Sequence, residues 1–324
     1  MILGLLLLVV ATTLLVVGAE LFVRNAAATA ARLGVTVVAV GVLLAGAEPE
    51  ELVTAVFAAW RGAPELAVGD ALGANVALLT LVLGLAAFLR PVPFAGRVRH
   101  YAAVAAAAGA LAVLVLIGGR VSRLEGLVLL LAYAGVVAFV WWREKAPPAI
   151  GELTETEEVD ALMSGAHRDR VLLRTPTGSI AVTFVGLWAL LIGGSVAVDA
   201  ATRLTGALGL TDSGVGLTML ALATSAEMFA IVFAARRHDV PGIAVAGLVG
   251  SAAYNATVTL GAAAVVRPLA APGMVLPAVF AAVLPLVLLA LSRDGWIGRR
   301  AGLALCLVYA GYAAVVLGTA AAAG

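Results

Sequence analysis

The chain has 324 residues, of which 63% are hydrophobic and only 12% charged, with a formal net charge of +1. That balance excludes a soluble globular domain, whose core could not hide so much apolar surface. A single cysteine excludes an internal disulfide, and no basic cluster with interleaved aromatics supports nucleic-acid binding.

Apolar runs of about 18 residues or more recur along the chain and read as membrane helices. The first covers residues 2–23. Its leading part, Met1–Val17, lacks a basic segment, and the apolar pattern runs on into GAELFV, so a retained helix is expected in place of a cleaved signal. Further spans are predicted at 35–59, 64–89, 101–117, 126–142, 178–198, 216–235, 241–264, 273–291 and 302–320. The only long polar segment, Arg143–Thr177, contains GELTETEEVDALMSGAHRDR and reads as a solvated linker. The predicted fold class is therefore an all-α polytopic membrane protein of ten transmembrane helices, with the lipid bilayer as its surroundings.

Basic residues orient such a chain, because Lys and Arg collect on the cytoplasmic side. With the N-terminus outside, the inner connections hold 15 of the 20 Lys and Arg, and the outer ones hold five. This predicts a multi-pass protein of the cell membrane, both termini outside and the long linker cytoplasmic.

The two halves resemble each other. VFAAWR (Val56–Arg61) matches VFAARR (Val232–Arg237), and LGLAAFLRP (Leu83–Pro91) matches LGAAAVVRP (Leu260–Pro268). Pro64 and Pro241 each precede a glycine, Gly73 and Gly250, by nine positions. The predicted organisation is a first five-helix repeat at 1–142, a linker at 143–177 and a second repeat at 178–324. An odd number of spans per repeat forces the second copy to enter the membrane inverted, the arrangement of secondary transporters with a site between repeats.

The second span carries Glu48, Glu50 and Glu51 in GAEPEELVTAVFAAWRG. A carboxylate deep in a span costs about 2.5–3.5 kcal/mol on insertion scales, so it is there for a task. Pro49 removes a backbone donor and frees a carbonyl. Free carbonyls beside carboxylates are hard oxygen ligands suited to Ca²⁺ or Na⁺. Glu48 and Glu51, three apart, are expected on one helix face, with Glu50 elsewhere unless the helix unwinds. Three carboxylates this close cannot all stay ionised without a cation, so at least one is expected to take a proton. The seventh span supplies Thr224, Ser225 and Glu227, the third Asp70 and Asn75, and the eighth Ser251 and Asn255. Plainer readings stand beside these. The hydroxyls can bond their own helix backbone, and the asparagines can join helices. Asp70 can face water in the outer third of its span, and Glu50 can line a vestibule.

These residues resemble the cation/calcium exchanger superfamily, the Na⁺/Ca²⁺ and H⁺/Ca²⁺ antiporters. GLTDSGVGLTMLALATSAEM (Gly209–Met228) is similar to the approach to the second family signature, a G-T-S-L-P-E-L-like string. GLVGSAAYN (Gly247–Asn255) is similar to the G-S-N-I-F-N block, and GAEPEELVTAVFAAWRGAPELAVGDALGAN (Gly46–Asn75) to the first signature through its G-N block. The resemblance implies that Glu51 and Glu227 coordinate the transported cation, with Asn75, Thr224, Ser225 and Ser251 at signature positions. Glu48 and Ala74 stand where the family usually has serine, and Ala252 where it has Asn or Asp. Hydroxyl ligands of Na⁺ are thus lost and carboxylates gained, which brings protons forward as a counter-ion beside Na⁺.

The expectation is a secondary antiporter, not an enzyme, with no cofactor. It exchanges a divalent cation, Ca²⁺ first among them, for Na⁺ or H⁺. An antiporter for another cation (Na⁺/H⁺ exchange, or Mg²⁺) and a non-transporting relative remain alternatives. A lipid-modifying enzyme has little support, since no nucleophile is paired with a histidine and His100, His167 and His238 fall in loops or span ends.

Overall fold

The computed structural model describes residues 1–32, 48–144, 176–229, 232, 241–292 and 294–323. Most of the linker, the start of the predicted second span and the second copy of the VFAAWR-like motif, apart from Val232, lie outside the described residues.

Helix α1 is Ile2–Arg32 and α2 is Pro49–Trp60. Helix α3 starts at Pro64–Val76, continues through a π-helical stretch Ala77–Val82 and ends at Leu83–Leu89. Helices α4 (Arg97–Leu116), α5 (Arg123–Glu144) and α6 (Pro176–Leu208) follow. Helix α7 runs from Asp212–Val215 through a π-helical Gly216–Leu220 to Ala221–Thr224. Helix α8 is Pro241–Tyr254, π-helical Asn255–Thr259 and Leu260–Val266. Helices α9 (Val275–Leu291) and α10 (Arg299–Ala323) complete the described chain.

Proline sets several starts. Pro49, Pro64, Pro176 and Pro241 each open a helix, where the missing N–H has no intrahelical partner to lose. Helices α1 and α6 run well past the predicted spans 2–23 and 178–198. The residues beyond, NAAATAAR and AATRLTGAL, are rich in good helix formers and contain no proline, so the helix outlasts the apolar run. Helix α6 stops just before Gly209, whose φ of 61° is left-handed, and Leu210 N donates back to Thr205 O at 3.1 Å.

Helices α3 and α8 have the same profile, α then π then α. Both end in an extended arginine before proline, Arg90 at φ −153° and Arg267 at φ −149°. Two short antiparallel bridges join connections from opposite halves of the chain. Val92–Pro93 (β1) pairs with Trp296–Ile297 (β4), and Arg120–Val121 (β2) pairs with Leu269–Ala270 (β3).

Glycines let helix backbones meet. A Cβ on Gly69 would lie 3.0 Å from Gly216 Cα, and one on Gly73 would lie 2.5 Å from Leu217 O, so α3 and α7 touch through backbone. Helices α1 and α6 meet likewise at Gly18 and Gly186.

The apolar core is split. One cluster takes α3 from Val76 onward and α8 up to Ala253; the other takes α3 up to Leu72 and α8 from Ala256. Between them lie Asn75 on α3 and Tyr254 and Asn255 on α8. Both positions fall near the middle of helices about 39 Å long at 1.5 Å per residue, so the polar layer sits at half-height. On the outside, α1, α6 and α10 expose large apolar side chains, among them Val9, Trp188 and Leu307. Six of the described helices are long and apolar enough to cross a membrane. The molecule is a multi-pass, helical membrane protein.

Candidate functional site

The polar layer is built on α2, α3, α7 and α8. Glu48, Glu50, Glu51, Asp70, Thr224, Ser225, Ser251 and Asn255 are all fully buried, and Asn75 and Glu227 are 4% and 5% exposed. Asp70 does not face water at the end of its span, and Glu50 does not line an open vestibule.

Pro49 is the first residue of α2, so Glu48 precedes the helix with φ −104° and ψ 76°. The expected shared helix face of Glu48 and Glu51 is corrected accordingly. Glu48 is the N-cap residue, and only Glu50 and Glu51 lie in the first turn. There they face the positive end of the helix dipole, which favours carboxylates and offsets part of their burial cost.

Of the layer's four first-half carboxylates, all but Glu50 take a hydroxyl from the second half. Ser225 Oγ donates to Glu51 Oε1 at 3.0 Å, Thr224 Oγ1 donates to Asp70 Oδ1 at 3.0 Å, and Ser251 Oγ donates to Glu48 Oε1. Thr224 also reaches its own backbone, at Leu220 O (3.2 Å) and Ala221 O (3.1 Å). Asn75 Nδ2 donates to Ala252 O on α8 at 2.9 Å, which turns its amide oxygen away from that contact. Thr259 Oγ1 donates to Asn255 Oδ1 at 3.0 Å and fixes that amide in turn.

Local backbone explains the placement. The α-helix of α7 ends at Thr224, and Ser225 takes φ −77° and ψ 7°, so the chain turns immediately before Glu227. Three π-helical stretches flank the layer, one each in α3, α7 and α8. Such widened turns are frequent at functional sites.

The structure adds residues that sequence reasoning missed. Tyr133 of α5 and Tyr254 of α8 pack edge to face, with centroids 5.5 Å apart, and with Leu52 they wall the layer next to α2. Thr54 of α2 is fully buried one turn beyond Glu50 and Glu51. At one end of α2, Arg61 holds α6 through Asp199, the Ser195 hydroxyl (2.6 Å) and the Ser195 carbonyl (3.1 Å).

Chemically, the layer is a set of hard oxygens, carboxylate, amide and hydroxyl. Among the described residues, no three carboxylate, histidine or cysteine side chains converge in metal-ligand geometry. Several carboxylate and amide atoms, including Glu51 Oε2, Asp70 Oδ2 and Asn75 Oδ1, are buried without a hydrogen-bond partner. Buried acceptors of this kind suit a cation whose shell they replace.

Residues 3–142 and 178–318 match the sodium/calcium exchanger protein family. The chain belongs to the sodium/calcium exchanger family. Members of this exchanger family are transporters, and the protein is not an enzyme. Its relatives include CaxA of Alkalimonas amylolytica, 30% identical over 318 residues that span 95% of each chain. The inner membrane protein YrbG of Escherichia coli is 30% identical over 273 residues, covering 83% of this chain and 79% of that one. Among solved structures, the sodium-calcium exchanger NCX_Mj superposes with a TM-score of 0.60 at 22% identity, over 97% of this chain and 98% of the other. The exchanger fold is thus shared over nearly the full length.

Proposed function

We propose that this family member is a secondary antiporter exchanging Ca²⁺ for Na⁺ or H⁺ by alternating access. The observation that carries the reading is the set of contacts across the two halves. Glu48, Glu51 and Asp70 from one half are each held by a serine or threonine from the other. A cation drawn to Glu51 acts at once on α2 and, through Ser225, on α7. Binding is thereby coupled to the packing between the halves.

In this reading Glu51 and Glu227 bind the divalent ion, and Asn75, Ser225, Ser251 and backbone carbonyls complete its shell. Thr224, Asn255 and Asp70 support these ligands, and Glu48 and Glu50 provide further acidic oxygens for the counter-ion. The counter-ion and the divalent ion compete for overlapping oxygens, so each load excludes the other. That exclusion makes the process exchange and not leak. The organisation is ten spans in two inverted five-helix repeats, 1–142 and 178–324, joined by a cytoplasmic linker at 143–177, with both termini outside. The matched profiles of α3 and α8 support this, as does the pairing of β1 with β4 and β2 with β3. Access then alternates as α1 and α6, which meet through glycine, slide against the rest.

The test is Ca²⁺ uptake into proteoliposomes, driven separately by a Na⁺ gradient and by a pH gradient. Uptake under either one identifies the counter-ion. Glu51→Gln removes the charge of a buried ligand, a loss of about 2–5 kcal/mol, so apparent Ca²⁺ affinity falls roughly 30-fold or more. Wild-type flux in that variant sinks the assignment.

A further inference from the structure

Helix α2 carries its glutamates at the start and Arg61 just past the end, about 15 Å further along the axis. There Arg61 reaches across to α6. Its Nη1 donates to the Ser195 carbonyl at 3.1 Å and to the Asp199 carboxylate, and its Nη2 donates to Ser195 Oγ at 2.6 Å. The guanidinium lies over the Phe57 ring, one turn back on α2, with Cζ 5.9 Å from the centroid. A ring face beneath a planar cation fixes its direction. Ser195 and Asp199, four apart, share one face of α6.

The packing beneath this contact is smooth. Gly194 sets the α6 backbone directly on α2, since a Cβ there would lie 2.7 Å from Val53 Cγ1. A glycine presents no ridge to interlock with its neighbour, so it leaves the register along the helix to other contacts. Arg61 supplies that register. One turn of helix is about 5.4 Å. A slide of one turn in one direction would put Leu191 and Ser195 under the guanidinium and lose the carboxylate. A slide in the other direction would put Arg203, a second cation, beside it with Asp199.

We propose that Arg61, with Ser195 and Asp199, is a latch that holds α6 in one register on α2 and must open before α6 can slide. Both charged side chains keep contact with solvent, 32% for Arg61 and 56% for Asp199, so water takes over their hydrogen bonds when the pair parts. The latch thus favours one register without locking it. While it is shut, Val53 stays under α6. The inference rests on the exchanger reading above, in which α1 and α6 move against the rest, and it names the contact that opposes that movement.

The experiment is thiol labelling of the detergent-purified full chain by a charged, water-soluble maleimide. The background is Cys306→Ala with Val53→Cys, which places a single thiol beneath Gly194. Adding Arg61→Gln should raise the labelling rate roughly five-fold, the population shift that a partly exposed ion pair can hold. Asp199→Asn should raise it by a similar factor. The two together should label no faster than either alone, because each single change already opens the latch. An ion pair that served stability alone would lower the melting temperature and leave the labelling rate unchanged, and that result overturns the proposal. So does a double variant whose rate is the product of the two single effects. Should Arg61→Gln fail to fold, Asp199→Asn decides by its own labelling rate, since its side chain is the more exposed of the pair. Stabilisation of the same protein by CaCl₂ tests the exchanger reading independently, so failure of one is told apart from failure of the other.

Discussion

Ser225 Oγ lies 3.0 Å from Glu51 Oε1, joining the turn of α7 to the first turn of α2 across 174 residues of sequence. A hydroxyl donating to a carboxylate is a charge-assisted bond, worth about 1.5–3 kcal/mol when both groups are buried. Ser225→Ala removes the donor and leaves Glu51 fully buried with one contact fewer. Under the proposed function the variant should bind Ca²⁺ roughly ten-fold or more weakly, for loss of a bond of that size. Calcium-dependent thermal stabilisation checks this, and an unchanged midpoint would remove Ser225 from the site.

The Thr224–Asp70 contact makes a different prediction, about stability. Thr224→Val is close to isosteric but strands Asp70 Oδ1, whose neighbour Oδ2 is already without a hydrogen-bond partner. The expected cost is about 1–3 kcal/mol of unfolding free energy. Adding Asp70→Asn removes the stranded charge, so the double variant should be more stable than the sum of the two singles predicts. A double-mutant cycle by denaturant titration reads this coupling directly. Additivity would mean that the two side chains do not act together.

Gly73 holds α3 against α7. Its Cβ position lies 2.5 Å from Leu217 O and 2.7 Å from Ala221 Cβ, neither of which can yield without moving the helix. Gly73→Val should therefore push apart the helices that carry Asp70, Asn75, Thr224 and Ser225. Loss of monodisperse protein, or of cation-dependent stabilisation where protein survives, is the expected outcome. Gly135 on α5 has nothing within 4 Å of its Cβ position and provides the control. Gly135→Val should purify as wild type; equal damage from both variants would show that packing at Gly73 is not special.

The length and apolarity of the segments made the helices and their membrane setting legible in the sequence, because a span of given thickness needs a run of given length. The ends of α1 and α6 were not legible, since alanine-rich tails continue a helix beyond the apolar run. The π-helical turns at Ala77, Gly216 and Asn255 were not legible either, because α and π turns share composition and differ only in how side chains pack around them. Glutamates in apolar spans announced a polar centre. Which hydroxyl meets which carboxylate depends on tertiary approach over 154 to 203 residues, and no local pattern encodes that. Thr54 escaped notice for a related reason. A lone threonine among Val and Ala reads as packing until the fold shows it buried one turn beyond Glu50 and Glu51.

The start of α5 offers a test by pH outside the membrane-spanning layer. Glu125 Oε2 accepts from Ser122 N and from Ser122 Oγ, both at 2.7 Å, and Glu125 N donates to Ser122 Oγ at 3.3 Å. This is a reciprocal capping box at the head of the helix. The two Ser122 donors hold the Glu125 carboxyl below its ordinary value of 4.5. A depressed folded pKa adds stability that is full above the unfolded pKa and is lost as pH falls through the lower folded one. Glu125→Ala should cost about 0.5–2 kcal/mol at pH 7, the range for loss of a cap. The gap between variant and wild type should begin to narrow only below about pH 4.5, the unfolded value, and should go on narrowing as pH falls towards the lowered folded one. Denaturant titrations of both proteins at pH 7, 5 and 3 measure it. A gap that stays constant down to pH 3 would show that the cap works without its charge.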